Sequence, residues 1–374
     1  MKIKRFSRKA ASPPKADQPP AGANRSGGKN ILVTGGAGFI GSNFVRYIYN
    51  KYTAYKIFNL DLLTYAGNPD NLKDIVKRES VKSKKDRRYF FIKGDIGDEK
   101  LLDKLFSKHK FDLVVNFAAE SHVDRSIASS QGFSRVNMLA VHILIDVAKK
   151  YKTPRFVQIS TDEIYGDVGK GQSHELSSFR PSNPYAATKA AADFLVQSYI
   201  RTHKFPAIIL RGSNNYGLFQ YPEKLIPLTI TNLLENRLVP LHGSGRHIRK
   251  WLHVLDFCSA IDLAMHQAKD FSVYNVAGEP RSNREIVERI CKILGKDFKT
   301  HIRRVADRPG ADLRYAPAAS KIERQLKWKA KRNIDSALRE IVRWYKFNFR
   351  WWKKIKKKKE FLSQYKKQSR GLYY

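Results

Sequence analysis

Over the first two hundred or so residues, apolar side chains fall in short β-rich runs: Ile31–Val33, Ile57–Leu60, Tyr89–Ile92, Leu113–Asn116, Phe156–Ile159 and Ala207–Leu210. None alternates cleanly with polar residues, which marks strands buried on both faces of a parallel sheet. Between the runs the spacing turns helical, as in Glu99–His109 and Asn137–Lys150, and Phe44, Val45 and Ile48 outline a helix after the first run. This alternation predicts an α/β fold, a doubly wound parallel sheet whose ligands bind at the carboxyl ends of the strands. After about residue 214 the pattern loosens, as expected of a smaller α/β lobe. The boundaries read as a first lobe over 29–213 and a second over 214–345, interleaved with the first. Residues 1–28, with Pro13, Pro14, Pro19 and Pro20, read as a disordered basic leader; the prolines would interrupt the amphipathic helix of a transit peptide. Residues 346–374 read as a basic aromatic tail.

Composition narrows the classes. At 374 residues and 42% hydrophobic the chain is an ordinary globular one, with no internal repeat. No apolar run reaches membrane-spanning length, and the N-terminus lacks the apolar core of a secretion signal. Cys258 and Cys291 lie far apart without a metal-ligand pattern and read as reduced, buried thiols of a cytoplasmic protein. No metal is expected. The formal net charge of +37 would draw polyanions to the chain. In the body the lysines, such as those of Lys82-Ser-Lys-Lys85, read as solvated polar faces. The stretch Trp351-Trp-Lys-Lys-Ile-Lys-Lys-Lys-Lys359 is open between disorder and weak contact with a membrane or nucleic acid.

Candidate chemistry sits at the predicted strand ends. The first strand runs into Gly35, Gly38 and Gly41 at three-residue spacing, and then into a helix. Glycines there turn the chain tightly and let the backbone approach a pyrophosphate, which meets the free amides of the helix. Asp61 follows the second strand about twenty residues on; a carboxylate there accepts from ribose hydroxyls and repels a 2′-phosphate, so NAD is expected rather than NADP. Gly94-Asp95-Ile96 follows the third strand, where the carboxylate of Asp95 suits an adenine amino group. Ser160-Thr-Asp-Glu-Ile-Tyr-Gly166 follows the fifth. Thr161-Asp162-Glu163 also reads as a helix cap, but no clear helix begins there. Tyr185 and Lys189 stand one helical turn apart, so a lysine ammonium beside the phenol would lower its pKa and make it a usable base. The plainer alternative is a half-buried tyrosine with an aliphatic neighbour.

Gly35-x-x-Gly38-x-x-Gly41, Asp95-Ile96, Asn116-x-Ala-Ala119 and Tyr185-x-x-x-Lys189 together resemble the extended short-chain dehydrogenase/reductases, built on the Rossmann fold. Within them Leu63-Thr-Tyr-Ala-Gly-Asn68, Ala118–Ser126, Ser160–Glu163, Ser213–Gly217, Pro222–Pro227 and Asp307–Gly310 resemble the nucleotide-sugar 4,6-dehydratases, nearest those acting on dTDP-glucose. The resemblance spans about residues 29–345. It implies an NAD-binding first lobe, a substrate-binding second lobe and a homodimer joined through two helices.

By that resemblance Tyr185, aided by Lys189, takes the C4 hydroxyl proton of the hexose and Thr161 hydrogen-bonds the C4 oxygen. Glu163 matches the family's base at C5 and Asp162 its acid at C6. NAD would be contacted by Gly35, Gly38, Phe39, Ile40, Gly41, Asp61, Leu63, Thr64, Asp95, Ile96, Ala118, Ala119 and Asn215, besides Tyr185 and Lys189. Ser121, Asn214, Lys224, Arg249, Asn283, Arg308 and Asp312 would hold the nucleotide sugar, with Arg249 as main diphosphate anchor. The chain departs from the family pattern at Leu62, Lys250, His253, Ala311 and Leu313, where Lys, Asp, Tyr, His and Arg are usual. Most of these surround the sugar pocket, so a UDP- or CDP-sugar dehydratase is an alternative reading. An epimerase or decarboxylase of UDP-sugars usually carries a different tripeptide at 161–163. The non-enzymatic alternative is a membrane- or polyanion-binding protein on the same fold.

Overall fold

The computed structural model describes residues 27–370, so nearly all of the expected leader lies outside the described residues. Seven strands form one parallel sheet in the order β3-β2-β1-β4-β5-β6-β10. They are β1 (Asn30–Thr34), β2 (Lys56–Asp61), β3 (Tyr89–Lys93), β4 (Leu113–Asn116), β5 (Phe156–Thr161), β6 (Ala207–Gly212) and β10 (Val273–Val276). The reversal of strand order falls between β1 and β4, the crevice where doubly wound sheets bind ligands. Both faces of the sheet are covered. Ile31 and Val33 face one apolar layer, shared with Phe44 and Ile48 of the helix Phe39–Lys51. Leu32 faces the other, shared with Leu144 of the helix Ala140–Lys150. That two-sided burial is why these runs carry no polar alternation.

All six strands expected from the apolar runs are present. The seventh, β10, comes from beyond residue 214 and pairs with β6 through Val273–Val276 and Ile209–Gly212. The second lobe carries two small sheets. β7 (Asn214–Tyr216), β9 (Ile248–His253) and β11 (Glu279–Ser282) form one, in the order β11-β9-β7. β8 (Val239–His242) pairs with β12 (Ile302–Val305) in the other. Helices Leu225–Leu234, Asn283–Leu294 and Ile334–Phe347 pack on them through Ile230, Ile286, Leu338 and Ile341.

The basic stretch after residue 346 is not a free tail. It folds as helices Phe349–Lys356 and Lys359–Arg370, with Trp352, Ile355 and Phe361 buried. Lys356 is itself buried, donating to Glu235 at 2.6 Å and Asn232 at 3.0 Å. The apolar side chains recur at helical spacing beneath the lysines, and their burial outweighs the cost of ordering the segment. Among the described residues no helix is long and apolar enough to cross a membrane. Cys258 and Cys291 are buried free thiols.

One ion pair fixes the first lobe's long helix to the sheet. Arg211 on β6, 1% exposed, holds Asp193 of the helix Pro184–His203 in two hydrogen bonds of 2.9 Å. Its third nitrogen donates to the Tyr165 hydroxyl at 2.6 Å and the Glu175 carbonyl at 2.8 Å. Removing one partner strands a buried charge. Asp193→Ala is therefore expected to cost about 3–5 kcal/mol, read as a lower urea midpoint; an unchanged midpoint would contradict this account of how the helix is held.

Candidate active site

The carboxyl ends of β1, β2, β4, β5 and β6 open on a single cleft of about 310 Å³. At its first end Gly35 takes φ +66°, and a Cβ there would press on the Ala118 amide at 2.7 Å. A Cβ on Gly41 would overlap the Gly35 carbonyl, so both glycines answer to the protein's own packing. Gly38 differs. Its backbone is ordinary (φ −74°, ψ −177°), and a Cβ would have only the Gly35 oxygen within 4 Å, at 3.2 Å. Gly38 caps the helix Phe39–Lys51, whose first turn has no side-chain cap and no acidic residue, so its positive end faces the cleft uncompensated. Asp61, ending β2, accepts from the amides of Ala37 and Leu63, each at 2.8 Å. Asp95 accepts from Gly97 N at 2.8 Å and faces Arg135 at 3.3 Å.

At the other end β5 delivers Thr161, Asp162 and Glu163. A short turn of 3₁₀ helix, Asp162–Tyr165, does begin there, and the Thr161 hydroxyl caps it by accepting from Glu163 N at 3.3 Å. A single turn carries no apolar period, which is why the sequence showed no helix. The cap and the chemistry share the same residues. The two carboxyls have unlike surroundings. Asp162 is 2% exposed, and burial, with Glu163 next to it, pushes its carboxyl up to about 8. Glu163 opens on the cleft yet sits deep among protein atoms; burial raises its pKa while Arg249, Lys224 and Arg308 pull it down.

Tyr185 and Lys189 line the cleft opposite, in the helix that Asn183 caps by accepting from Ala186 N at 2.9 Å. The expected ammonium–phenol pair is not there. Lys189 donates to the Ile159 carbonyl at 2.7 Å, and burial lowers its pKa to about 8. The Tyr185 phenol is raised, not lowered, by burial and by the negative charge of Glu163, then of Asp162; a hydrogen bond with Thr161 works the other way. Helical spacing brought the two side chains to one face, but the nearest backbone acceptor captured the ammonium.

The other expected residues divide. Phe39, Ile40, Thr64, Ile96, Ala118, Ala119 and Asn215 line the cleft, as do Ser121, Asn214 and Lys224; Lys224 donates to the Ser121 carbonyl at 3.0 Å. Leu63 does not. At φ +60° it turns away, toward Lys358, Lys359 and Glu360. Arg249, Arg308 and Asp312 stand behind the lining but act on Glu163 through their charges. Arg249 stacks over Tyr315 at 4.1 Å and donates to the Asp312 carbonyl at 2.8 Å, while Arg308 pairs with Asp124 at 2.6 Å. Asn283 is not brought to the cleft; it starts the helix Asn283–Leu294, with its amide on the His247 carbonyl at 3.0 Å.

Several lining residues received no role from the sequence. Glu223 is buried beside His122 (3.5 Å) and Arg125 (4.0 Å), and burial pushes it up to about 7. Glu120, with Tyr65 and Tyr221, borders the same space. Glu120 and Glu223 lay inside motifs already singled out, so their position was visible but not their burial. Buried oxygens of Ser160, Ser213, Asn214 and Asn215 have no protein partner. Orphaned amide oxygens suit a ligand with hydroxyl or amide donors, and the uncapped helix end suits its anionic part; the residues present therefore fit a dinucleotide.

Fold and site together define an extended short-chain dehydrogenase/reductase, with a dinucleotide cradle and a paired-carboxylate centre on one sheet edge. The family model of GDP-mannose 4,6 dehydratase matches residues 32–341. A dTDP-glucose 4,6-dehydratase of Streptomyces niveus is 42% identical over 331 residues, covering 87% of this chain and 95% of that one. The crystal structure of dTDP-glucose 4,6-dehydratase from Bacillus anthracis in complex with NAD is 43% identical, with a TM-score of 0.80, covering 87% and 99%. That of the enzyme from Streptomyces venezuelae with NAD and TYD bound is 40% identical, with a TM-score of 0.82 and the same coverage. The chain belongs to the dTDP-glucose 4,6-dehydratase family.

The glycine geometry gives a test. Gly38→Ala is expected to leave the unfolding free energy from urea titration within about 1 kcal/mol of the parent, because the added methyl meets only the Gly35 oxygen. NAD⁺ affinity measured by calorimetry should nonetheless fall at least tenfold. Undiminished affinity would show that nothing approaches Gly38 closely.

Proposed function

We propose that this chain dehydrates dTDP-glucose to dTDP-4-dehydro-6-deoxyglucose, with NAD⁺ as a cofactor regenerated in each cycle. The observation that carries the reading is the unequal pair Asp162 and Glu163, set against Tyr185 and Thr161 at the end of β5. Gly35, Gly38 and Gly41 with the helix end they lead into would hold the diphosphate of the dinucleotide. Asp61 would hold its ribose, its charge disfavouring a 2′-phosphate. The bound dinucleotide supplies reversible hydride storage, which no side chain here provides.

The side chains supply the proton transfers. Tyr185, sharing the C4 oxygen with the Thr161 hydroxyl, takes the proton of the C4 hydroxyl as that carbon is oxidised. Lys189 lies one helical turn along from Tyr185 with its ammonium on the Ile159 carbonyl, so what it lends this transfer is charge at a distance rather than contact with the phenol. The carbonyl so formed acidifies C5–H, and Glu163, kept ionisable by Arg249, Lys224 and Arg308, removes it. Asp162, which burial keeps protonated near neutrality, gives its proton to the departing C6 hydroxyl, and water leaves. With hydride delivered to C6 and a proton to C5, the sugar loses one water and no net electrons. An epimerase needs no acid–base pair at C5 and C6, so this centre favours the dehydratase.

Product mass decides the matter. Incubation with dTDP-glucose is expected to give a sugar nucleotide lighter by one water, and Glu163→Gln to abolish solvent deuterium uptake at C5. A product of unchanged mass would sink the reading. The pH profile has a fixed sign. Asp162 acts protonated, so kcat should hold below about 8 and fall as pH rises through it. Asp162→Asn should lower the rate and remove that alkaline limb; a limb that survives belongs to another group.

A further inference from the structure

Ala37, between Gly36 and Gly38, ties the glycine loop to the protein at both its amide and its carbonyl, alongside Gly35, whose amide donates to the Leu60 carbonyl at 2.9 Å. The Ala37 amide donates to Asp61 at 2.8 Å, and its carbonyl accepts from Asn68 N at 3.0 Å and from the side-chain Nδ2 of Asn71 at 2.9 Å. Asn71 is 2% exposed, so its amide finds its partners inside the protein. The other end of that amide, Oδ1, accepts from the indole Nε1 of Trp351 at 3.0 Å, 280 residues further along the chain. Trp351 is fixed in turn by Trp344, Phe219 and Tyr345, with ring centroids 5.3, 6.1 and 6.2 Å away.

A carboxamide has a donor end and an acceptor end, while an indole N–H only donates and a carbonyl only accepts. With Nδ2 toward Ala37 and Oδ1 toward Trp351, both contacts are complementary. Turning the amide over would set N–H against N–H and oxygen against oxygen. The indole therefore selects the one amide orientation that can hold the Ala37 carbonyl. We infer that Trp351 is a positioning residue of the cofactor site, acting through Asn71 to fix the loop that receives the dinucleotide phosphates. The family model stops at residue 341, short of this tryptophan. The inference rests on the dinucleotide reading of the cleft.

Titration of NAD⁺ into the full chain, followed by calorimetry, tests it. Trp351→Phe keeps an aromatic ring in the cluster and loses the N–H; it is expected to bind NAD⁺ about fivefold more weakly, the worth of one hydrogen bond. Asn71→Ala should weaken binding at least as much. The double variant should be no weaker than Asn71→Ala alone, because the two residues act in series. Turnover of Trp351→Phe should return to the parent rate at saturating NAD⁺, which a general loss of folded protein would not allow. Lys354→Gln breaks a neighbouring surface pair, Lys354–Asp70 at 2.9 Å, and should bind NAD⁺ as the parent does. Parent-like affinity in Trp351→Phe, or additive losses in the double variant, overturns the inference while leaving the proposed function standing. A parent chain that does not bind NAD⁺ overturns both.

Discussion

Two consecutive carboxyl groups at the end of a buried strand cannot both be ionised cheaply, and the rest of the site is organised around that constraint. At Asp162 and Glu163 each charge opposes the other in surroundings that screen poorly. Which one keeps its proton is decided first by burial and then by where the cations are. Glu163 has Arg249, Lys224 and Arg308 acting on it, whereas Asp162, the more deeply buried, has Arg249 and Lys250. All four cations belong to the second lobe: Arg249 and Lys250 to β9, Lys224 to the cap of the helix Leu225–Leu234, and Arg308 to the loop after β12. The cations of the second lobe thus bias a pair carried entirely by the first.

Features written locally in the chain were legible. The glycine spacing, Asp61, and the tripeptide after β5 each express a backbone or strand-end requirement within a few residues, and the structure places them on one edge. What failed were inferences about side-chain ends and distant neighbours. The spacing of Tyr185 and Lys189 fixed a shared helix face but not the last atom of a four-carbon stem, which went to the Ile159 carbonyl. The sign of the shift at Tyr185 was invisible because its main charged neighbour, Glu163, comes from the turn after β5 and not from its own helix. β7 and β11 were missed for a different reason. Asn214–Tyr216 and Glu279–Ser282 are short and polar, and both exist as strands because β9 lies between them to pair with.

The basic C-terminal segment shows how composition can mask periodicity. Lysines dominate Lys353–Lys359, yet Trp352 and Ile355 are three apart, and with Phe361 they point inward together. Lysine stems tolerate this, since their charged ends reach solvent while the methylenes cover apolar surface. Lys356, the one that cannot reach solvent, is matched with Glu235, Asn232 and Thr231.

Those helices also change what counts as the cofactor lobe. Ala37 is held at its amide by Asp61 and at its carbonyl by Asn68 and Asn71, and Asn71 in turn meets Trp351. Four of these five residues lie within the first 71 of the chain, so most of the loop's geometry is set by local structure. The last tether is not local: closing a contact across 280 residues has an entropic cost that only a packed second lobe can offset. A nascent chain with its first lobe complete therefore still lacks one determinant of its phosphate loop.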